Sequence, residues 1–222
     1  MLPLLAAVSC AGVDVGFVPT ESAAARAALA WAEVGPGDSV WDLGCGDGRV
    51  AEEALELGAS VVCVESDPEL AAVAATRLLR AAAGRPERAR VLTADLFEVD
   101  LSQASVVFLF LLPGLNARLR PRLAAQLRPG ARVLSAHFQV LGWPCGTSLR
   151  IGSATFHKWQ LPVQELPSTG GGSMPGGAAV EHQLEEAAVA HQLDCVSEDA
   201  ALDGRGGGAG EREREREHER EL

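Results

Sequence analysis

The chain has no tyrosine among its 222 residues, so no phenol is available as an acid, a base or a ring-edge donor. It has no CxxC pair either. Its cysteines, Cys10, Cys45, Cys63, Cys145 and Cys195, are odd in number and scattered. That pattern argues against a disulfide framework and a structural zinc site, and it favours a reducing compartment and no bound metal. No apolar run is long enough to cross a bilayer. The opening Met1–Val8 lacks a basic flank, Asp14 interrupts its extension, and the first arginine is Arg26, so no membrane segment or Arg-rich transit peptide is visible. The expectation is an intracellular, soluble protein, cytoplasmic or mitochondrial. A basic face is also missing. The net charge of −11 divides unevenly, with 16 acids and 14 bases in residues 1–161 against 14 acids and 5 bases in 162–222. A near-neutral body offers no footprint for nucleic acid, and the acidity belongs to the C-terminal part.

What the chain does have is a glycine turn between two apolar runs. Val40–Leu43 ends in Asp42-Leu43 and is followed by Gly44, Gly46 and Gly48; Val61–Val64 ends in Glu65. This reads as a strand, a glycine turn onto a helix, and a second strand tipped by a carboxylate. Proteins that hold an adenosine-bearing cofactor are built this way. The spacing is GxGxG and not the GxGxxG of dinucleotide folds, which favours S-adenosylmethionine over NAD.

The rest of the pattern supports an α/β architecture. Thr20 is placed to cap a helix over 21–34, with Pro36-Gly37 beyond it. Strands are expected over 38–43, 60–65, 89–94, 106–112 and 131–136. The helix after the glycine turn should end at Gly58, and Asp67-Pro68 should cap the next, which runs to about Gly84. A further helix is most secure over Pro121–Leu127. Ser148–Ile151 and Ala154–Gln160, joined through Gly152-Ser153, read as a hairpin. The prediction is a doubly wound, mostly parallel, seven-stranded-type sheet with an antiparallel edge hairpin. Residues 1–15 form an N-terminal extension, 16–161 the folded domain, and 162–222 a low-complexity tail expected to be largely disordered. Within the tail, Ser168–Gly177 is linker-like, Glu181 to Leu193 has the makings of one helix, and Glu211–Leu222 is a Glu-Arg repeat.

Each candidate site residue has a stated chemistry. Gly44, Gly46 and Gly48 remove side chains where backbone must approach a ligand. Asp42 is placed to receive an ammonium, directly or through water, and Glu65 to accept two ribose hydroxyls. Asp95 follows the third strand, where it can reach an adenine amino group, with Leu96 and Phe97 walling the ring. Cys45 reads as a small packing residue, since no histidine stands near it in sequence and direct methyl transfer needs no thiolate. His137 reads either as a general base or as a hydrogen-bonded loop histidine, and His157 as structural. Trp143, Trp159 and Phe110 either shape an acceptor lane or pack ordinarily.

Several of these segments together resemble a known family. Val18-Pro19-Thr20, Trp41–Arg49, Val64–Pro68, Asp95-Leu96-Phe97, Leu111–Asn116 and Arg118–Pro121 resemble the small class I methyltransferases related to the mitochondrial ATP synthase c-subunit lysine methyltransferase. The resemblance runs from about residue 16 to 161, and its Leu-Leu-Pro segment is more diagnostic than the glycines. It implies that Val18-Pro19-Thr20 folds over the cofactor, with Pro19, Thr20, Cys45, Ser66 and Leu96 joining the cofactor set. It also implies that Phe110, Leu111, Leu112 and Pro113 border the methyl-transfer channel, and that a protein lysine is the acceptor. Phe110 stands where relatives often carry tyrosine, Ser135-Ala136-His137-Phe138 replaces a Ser-His-Asp-Phe-like run, and the likeness stops after Pro162. The alternatives are a methyltransferase acting on a small molecule or another protein nitrogen, and a non-catalytic S-adenosylmethionine-binding module.

Overall fold

A computed structural model describes Ser9–Cys10, Val13–Asp14, residues 20–164, 186–187, 190–192 and Cys195. Two short strands, β1 (Ser9–Cys10) and β2 (Val13–Asp14), pair with each other. The elements that follow are α1 (Ser22–Trp31), β3 (Ser39–Leu43), α2 (Arg49–Glu56), β4 (Ser60–Glu65) and α3 (Pro68–Ala81). After these come β5 (Ala89–Thr93), β6 (Val106–Leu109), α4 (Pro113–Gln126), β7 (Arg132–Ala136), β8 (Thr147–Ile151) and β9 (Ala154–Gln160). They build one seven-stranded sheet in the order β5-β4-β3-β6-β7-β9-β8. The first five strands in that order are parallel, and the β8–β9 hairpin adds the antiparallel edge.

The central strands alternate between two cores, because a parallel strand covered on both faces must be apolar on both. Val40, Val61, Cys63, Val106 and Phe108 face the core under α1, α2 and α3. Trp41, Leu43, Val62, Val107 and Leu109 face the second core, which Leu119 and Leu123 of α4 cover. Turn chemistry works as the sequence implies at several points. Asp67 accepts from the Glu69 and Leu70 amides at 2.7 and 3.4 Å, with Pro68 at the first helical position. Gly58 takes φ 97° after α2, where a Cβ would lie 2.8 Å from Pro36 Cγ.

Two local expectations fail. Thr20 does not cap α1; Glu21 is the N-cap and makes no side-chain cap hydrogen bond. The apolar run 106–112 is not all strand, because β6 ends at Leu109 and the chain passes into the Leu112 N-cap of α4. The helix expected as most secure over Pro121–Leu127 is present as the second half of α4, which starts at Pro113 and carries Pro121 inside it.

The expected linker Ser168–Gly177 and the Glu-Arg repeat lie outside the described residues. Within the proposed 181–193 helix, the described residues 186–187 and 190–192 are helical, as is Cys195 beyond it. Among the described residues no helix is long and apolar enough to cross a membrane.

Candidate functional site

The carboxyl ends of β3, β4, β6 and β7 converge on the glycine turn. Asp42 is in register with Cys63 on β4 and Phe108 on β6. Beyond Leu43 the turn folds back on β4, where the Val64 carbonyl accepts from the Gly44 and Cys45 amides at 2.9 and 3.1 Å. Glu65 completes the clasp. Its Oε2 accepts from the Gly46 amide at 2.8 Å, while Oε1 accepts from the Asp67 amide at 2.9 Å and the Ser66 hydroxyl at 3.4 Å. A carboxylate has lone pairs to spare after these bonds, so Glu65 stays an acceptor for a ligand.

Glycine is needed at two positions for different reasons. A Cβ on Gly44 would sit 3.0 Å from Leu111 Cδ2, so the Leu-Leu-Pro segment presses directly on the turn. Gly48 caps α2 at φ 80°, and a Cβ there would meet Ala74 of α3 at 3.0 Å.

Asp42 is 3% exposed, and its Oδ2 has no hydrogen-bond partner. Burial, then the nearby Glu65 and Asp47 charges, push its carboxyl up to about 7 against a backbone hydrogen bond from Ala51. Asp47 behaves oppositely. Burial raises its carboxyl, but Arg49 and Arg77 outweigh that and hold it below the usual carboxylate range. Arg49 and Arg77 reach Asp47 Oδ2 at 2.8 and 3.0 Å, and Arg77 also bonds Glu52 at 2.7 Å, which ties the turn to α3. The sequence carries no signal for this network, because Arg77 lies 30 residues from Asp47.

The remaining candidates divide. Phe110 and His137 meet at the tips of β6 and β7 with ring centroids 5.2 Å apart. His137 holds φ 67°, and its amide bonds the Thr155 carbonyl at 2.6 Å. Leu111 and Leu112 are half-buried and Pro113 is buried. Asp95 Oδ1 accepts from the Phe97 amide at 2.8 Å, and the Arg118 guanidinium covers the Phe97 ring at 4.2 Å. Leu96 packs at the edge of the second core. Thr20 is buried, and its carbonyl accepts from Arg49 at 3.4 Å. Pro19 and Val18 lie outside the described residues. Trp143 and Trp159 do not line the site; they pack together in the second core at 5.7 Å. His157 is structural, buried between Ser148 at 2.9 Å and Gln192 at 3.2 Å.

The cysteines depart from expectation, and the reading of Cys45 as a plain packing residue is corrected. Cys45 is bonded to Cys63, and Cys145 to Cys195. Sequence spacing conceals both pairs, since neighbouring strands and a returning helix bring residues 18 and 50 positions apart together. Cysteine spacing therefore no longer supports a reducing compartment.

Comparison with known proteins places this geometry. Residues 42–147 match the ANTKMT methyltransferase domain. A protein-lysine N-methyltransferase of Saccharolobus islandicus (strain REY15A) is 39% identical over 131 residues, covering 58% of this chain and 80% of that protein. The chain belongs to this methyltransferase family. The matched span of the methyltransferase runs from Asp42 to Thr147 and so contains the glycine turn, Glu65, Asp95 and the Leu-Leu-Pro segment. The ATP synthase c-subunit lysine N-methyltransferase of Mus musculus is 32% identical over 123 residues, 55% of this chain and 49% of that protein. The methyltransferase thus spans about half the length of that relative. Among solved structures, an RNA methyltransferase from Salinibacter ruber in complex with S-adenosyl-L-homocysteine is 37% identical with a TM-score of 0.63, covering 68% of this chain and 97% of that one.

Proposed function

We propose that the chain transfers a methyl group from S-adenosylmethionine to a lysine amine of a protein. The observation that carries the reading is Asp42: a buried carboxyl group with an unpartnered oxygen near the end of β3, beside the glycine turn. A cofactor ammonium satisfies that oxygen. Glu65 and Ser66 would hold the ribose, the Gly44–Gly48 turn would lie along the ligand, Asp95 and Leu96 would receive the adenine, and Thr20 would border the site. When bound, the cofactor supplies an electrophilic methyl group on its sulfonium for in-line displacement.

The chain's own task is then to position and deprotonate the acceptor. Phe110, Leu111, Leu112 and Pro113 form an apolar lane, and burial there lowers a lysine from its ordinary pKa of about 10.4 toward neutrality. His137, whose ring rests on Phe110, stands at the lane's edge as the group to receive the departing proton. Positioning and exclusion of water supply most of the remaining rate. The lysine acceptor is supported by the names of the archaeal and mouse relatives.

The rival acceptor is RNA, suggested by the name of the Salinibacter relative; the balance of 16 acids and 14 bases over residues 1–161 counts against it. Incubation with methyl-labelled cofactor and a cell extract separates the two. Label should appear as methyl-lysine after acid hydrolysis of the protein fraction. Label confined to RNA or to small molecules would overturn the lysine acceptor, and tight cofactor binding without any transfer would indicate a non-catalytic module.

A further inference from the structure

The Cys45–Cys63 bridge joins the middle of the glycine turn to β4, with Cα atoms 5.5 Å apart. Its two ends differ in freedom. Cys63 is fully buried in a strand hydrogen-bonded to β3 on one side and β5 on the other. Cys45 is 6% exposed and sits between Gly44 and Gly46. The same few residues carry the ligand-facing groups. The Gly46 amide bonds Glu65 Oε2, and Glu65 lies two positions after Cys63 on β4.

We infer that Cys45–Cys63 is a reversible thiol–disulfide site that sets the affinity of the glycine turn for its adenosyl cofactor. The inference rests on the cofactor assignment made above. The partner class is a small thiol or dithiol reductant. Its thiolate attacks Sγ of Cys45, the less deeply buried residue of the pair, the S–S bond breaks, and Cys63 leaves as a thiolate and takes up a proton. A second reductant thiol then resolves the mixed disulfide. Two protein thiols and one reductant disulfide result, so two electrons pass from reductant to protein.

Bonded sulfurs lie about 2.05 Å apart, whereas non-bonded heavy atoms settle at roughly 3.5–4 Å. Reduction therefore requires roughly 1.5 Å of extra separation inside a close-packed core. Rotation about χ1 at either cysteine supplies part of it; any backbone displacement falls on Cys45, because Cys63 stands in a strand paired on both sides while Cys45 lies in the turn. The turn then shifts and loosens the bond from the Gly46 amide that orients Glu65. The oxidised form is accordingly the tighter binder. Linkage makes the effect reciprocal, so a bound cofactor protects the bridge against reduction by the same factor.

The test uses the full chain carrying Cys145→Ser and Cys195→Ser, which leaves Cys45–Cys63 as the only bridge. Calorimetric titration with S-adenosylhomocysteine, before and after dithiothreitol, should show affinity falling on the order of tenfold on reduction. Alkylation mass spectrometry should count two additional thiols in the reduced sample. Adding Cys63→Ala, which removes the bond together with the second sulfur, should abolish the response to reductant. S-adenosylhomocysteine should also slow the appearance of the two thiols. Equal affinity in the two forms, with reduction verified by the thiol count, overturns the inference alone. So does finding both thiols free in protein never exposed to reductant. Failure of both forms to bind overturns the cofactor assignment and this inference with it. The comparison of the two redox forms needs no variant at Cys45 or Cys63, so poor folding of Cys63→Ala does not weaken it.

Discussion

Asp42 and Glu65 stand near the ends of the neighbouring strands β3 and β4 and do opposite things. Asp42 is a carboxyl kept from water, raised from 3.8 to about 7 by burial and by the Glu65 charge. Between those values the folded chain binds a proton that the unfolded chain has lost, so stability falls as pH rises through that window, by as much as about 4 kcal/mol. An ammonium brought against Asp42 reverses the balance, and S-adenosylhomocysteine affinity should rise over the same interval. Asp42→Asn should flatten both profiles, and thermal melts and titrations from pH 4 to 8 will show whether it does. Glu65 instead spends its charge on the Gly46 and Asp67 amides. Glu65→Ala strands both donors and removes the proposed ribose acceptor, so S-adenosylhomocysteine binding should weaken by at least about 1.5 kcal/mol. An unchanged dissociation constant would refute the ribose role.

Among the elements, α2 shows how a helix start is built for proximity. Gly48 takes a left-handed conformation to begin it, and the missing side chain lets the turn lie against Ala74 of α3. The Asp47–Arg77 pair bolts the same two elements together from the side. Gly48→Ala should therefore cost about 2 kcal/mol, from the left-handed backbone and from crowding of Ala74. Denaturant melts read the stability and titration with S-adenosylhomocysteine reads the turn; normal values in both would show the close approach to be dispensable. Helix α4 carries a different burden. Pro121 removes an amide from its interior, and burial of Leu119 and Leu123 against the second core holds the helix together regardless.

For the whole molecule, Gln192 and Cys195, described residues beyond 164, are tied to the folded body. Gln192 accepts from the Gln139 amide at 2.9 Å and meets His157 at 3.2 Å, while Cys195 is bonded to Cys145. Closing a loop over a separation of 50 residues restricts the unfolded chain by about 4 kcal/mol in the chain-entropy account. The Cys145→Ser/Cys195→Ser protein should melt at lower temperature than the parent yet keep its affinity for S-adenosylhomocysteine. Equal melting temperatures would mean that the bridge does not hold the segment in solution.

The sheet and its glycine turn were legible in the chain because their causes are local. Val61–Val64 and Val106–Leu109 are apolar on both faces, Asp67-Pro68 is a cap, and Gly152-Ser153 turns a hairpin. The resemblance in Leu-Leu-Pro likewise needed only adjacent residues, and the family match followed it. Other features depend on distance in space. Cys45 reached Cys63, Arg77 reached Asp47, and Gln192 reached His157 only once strands had paired and helices had packed. Trp143 and Trp159 entered the core, not the acceptor lane, for the same reason. Local preference for turn, cap and buried strand is written in residue type and period, and these suffice to specify a doubly wound methyltransferase fold. Which carboxyl oxygen is left unpartnered, which cysteines bond, and how tightly Leu111 presses on Gly44 were settled by packing, because each depends on which neighbours burial leaves within reach.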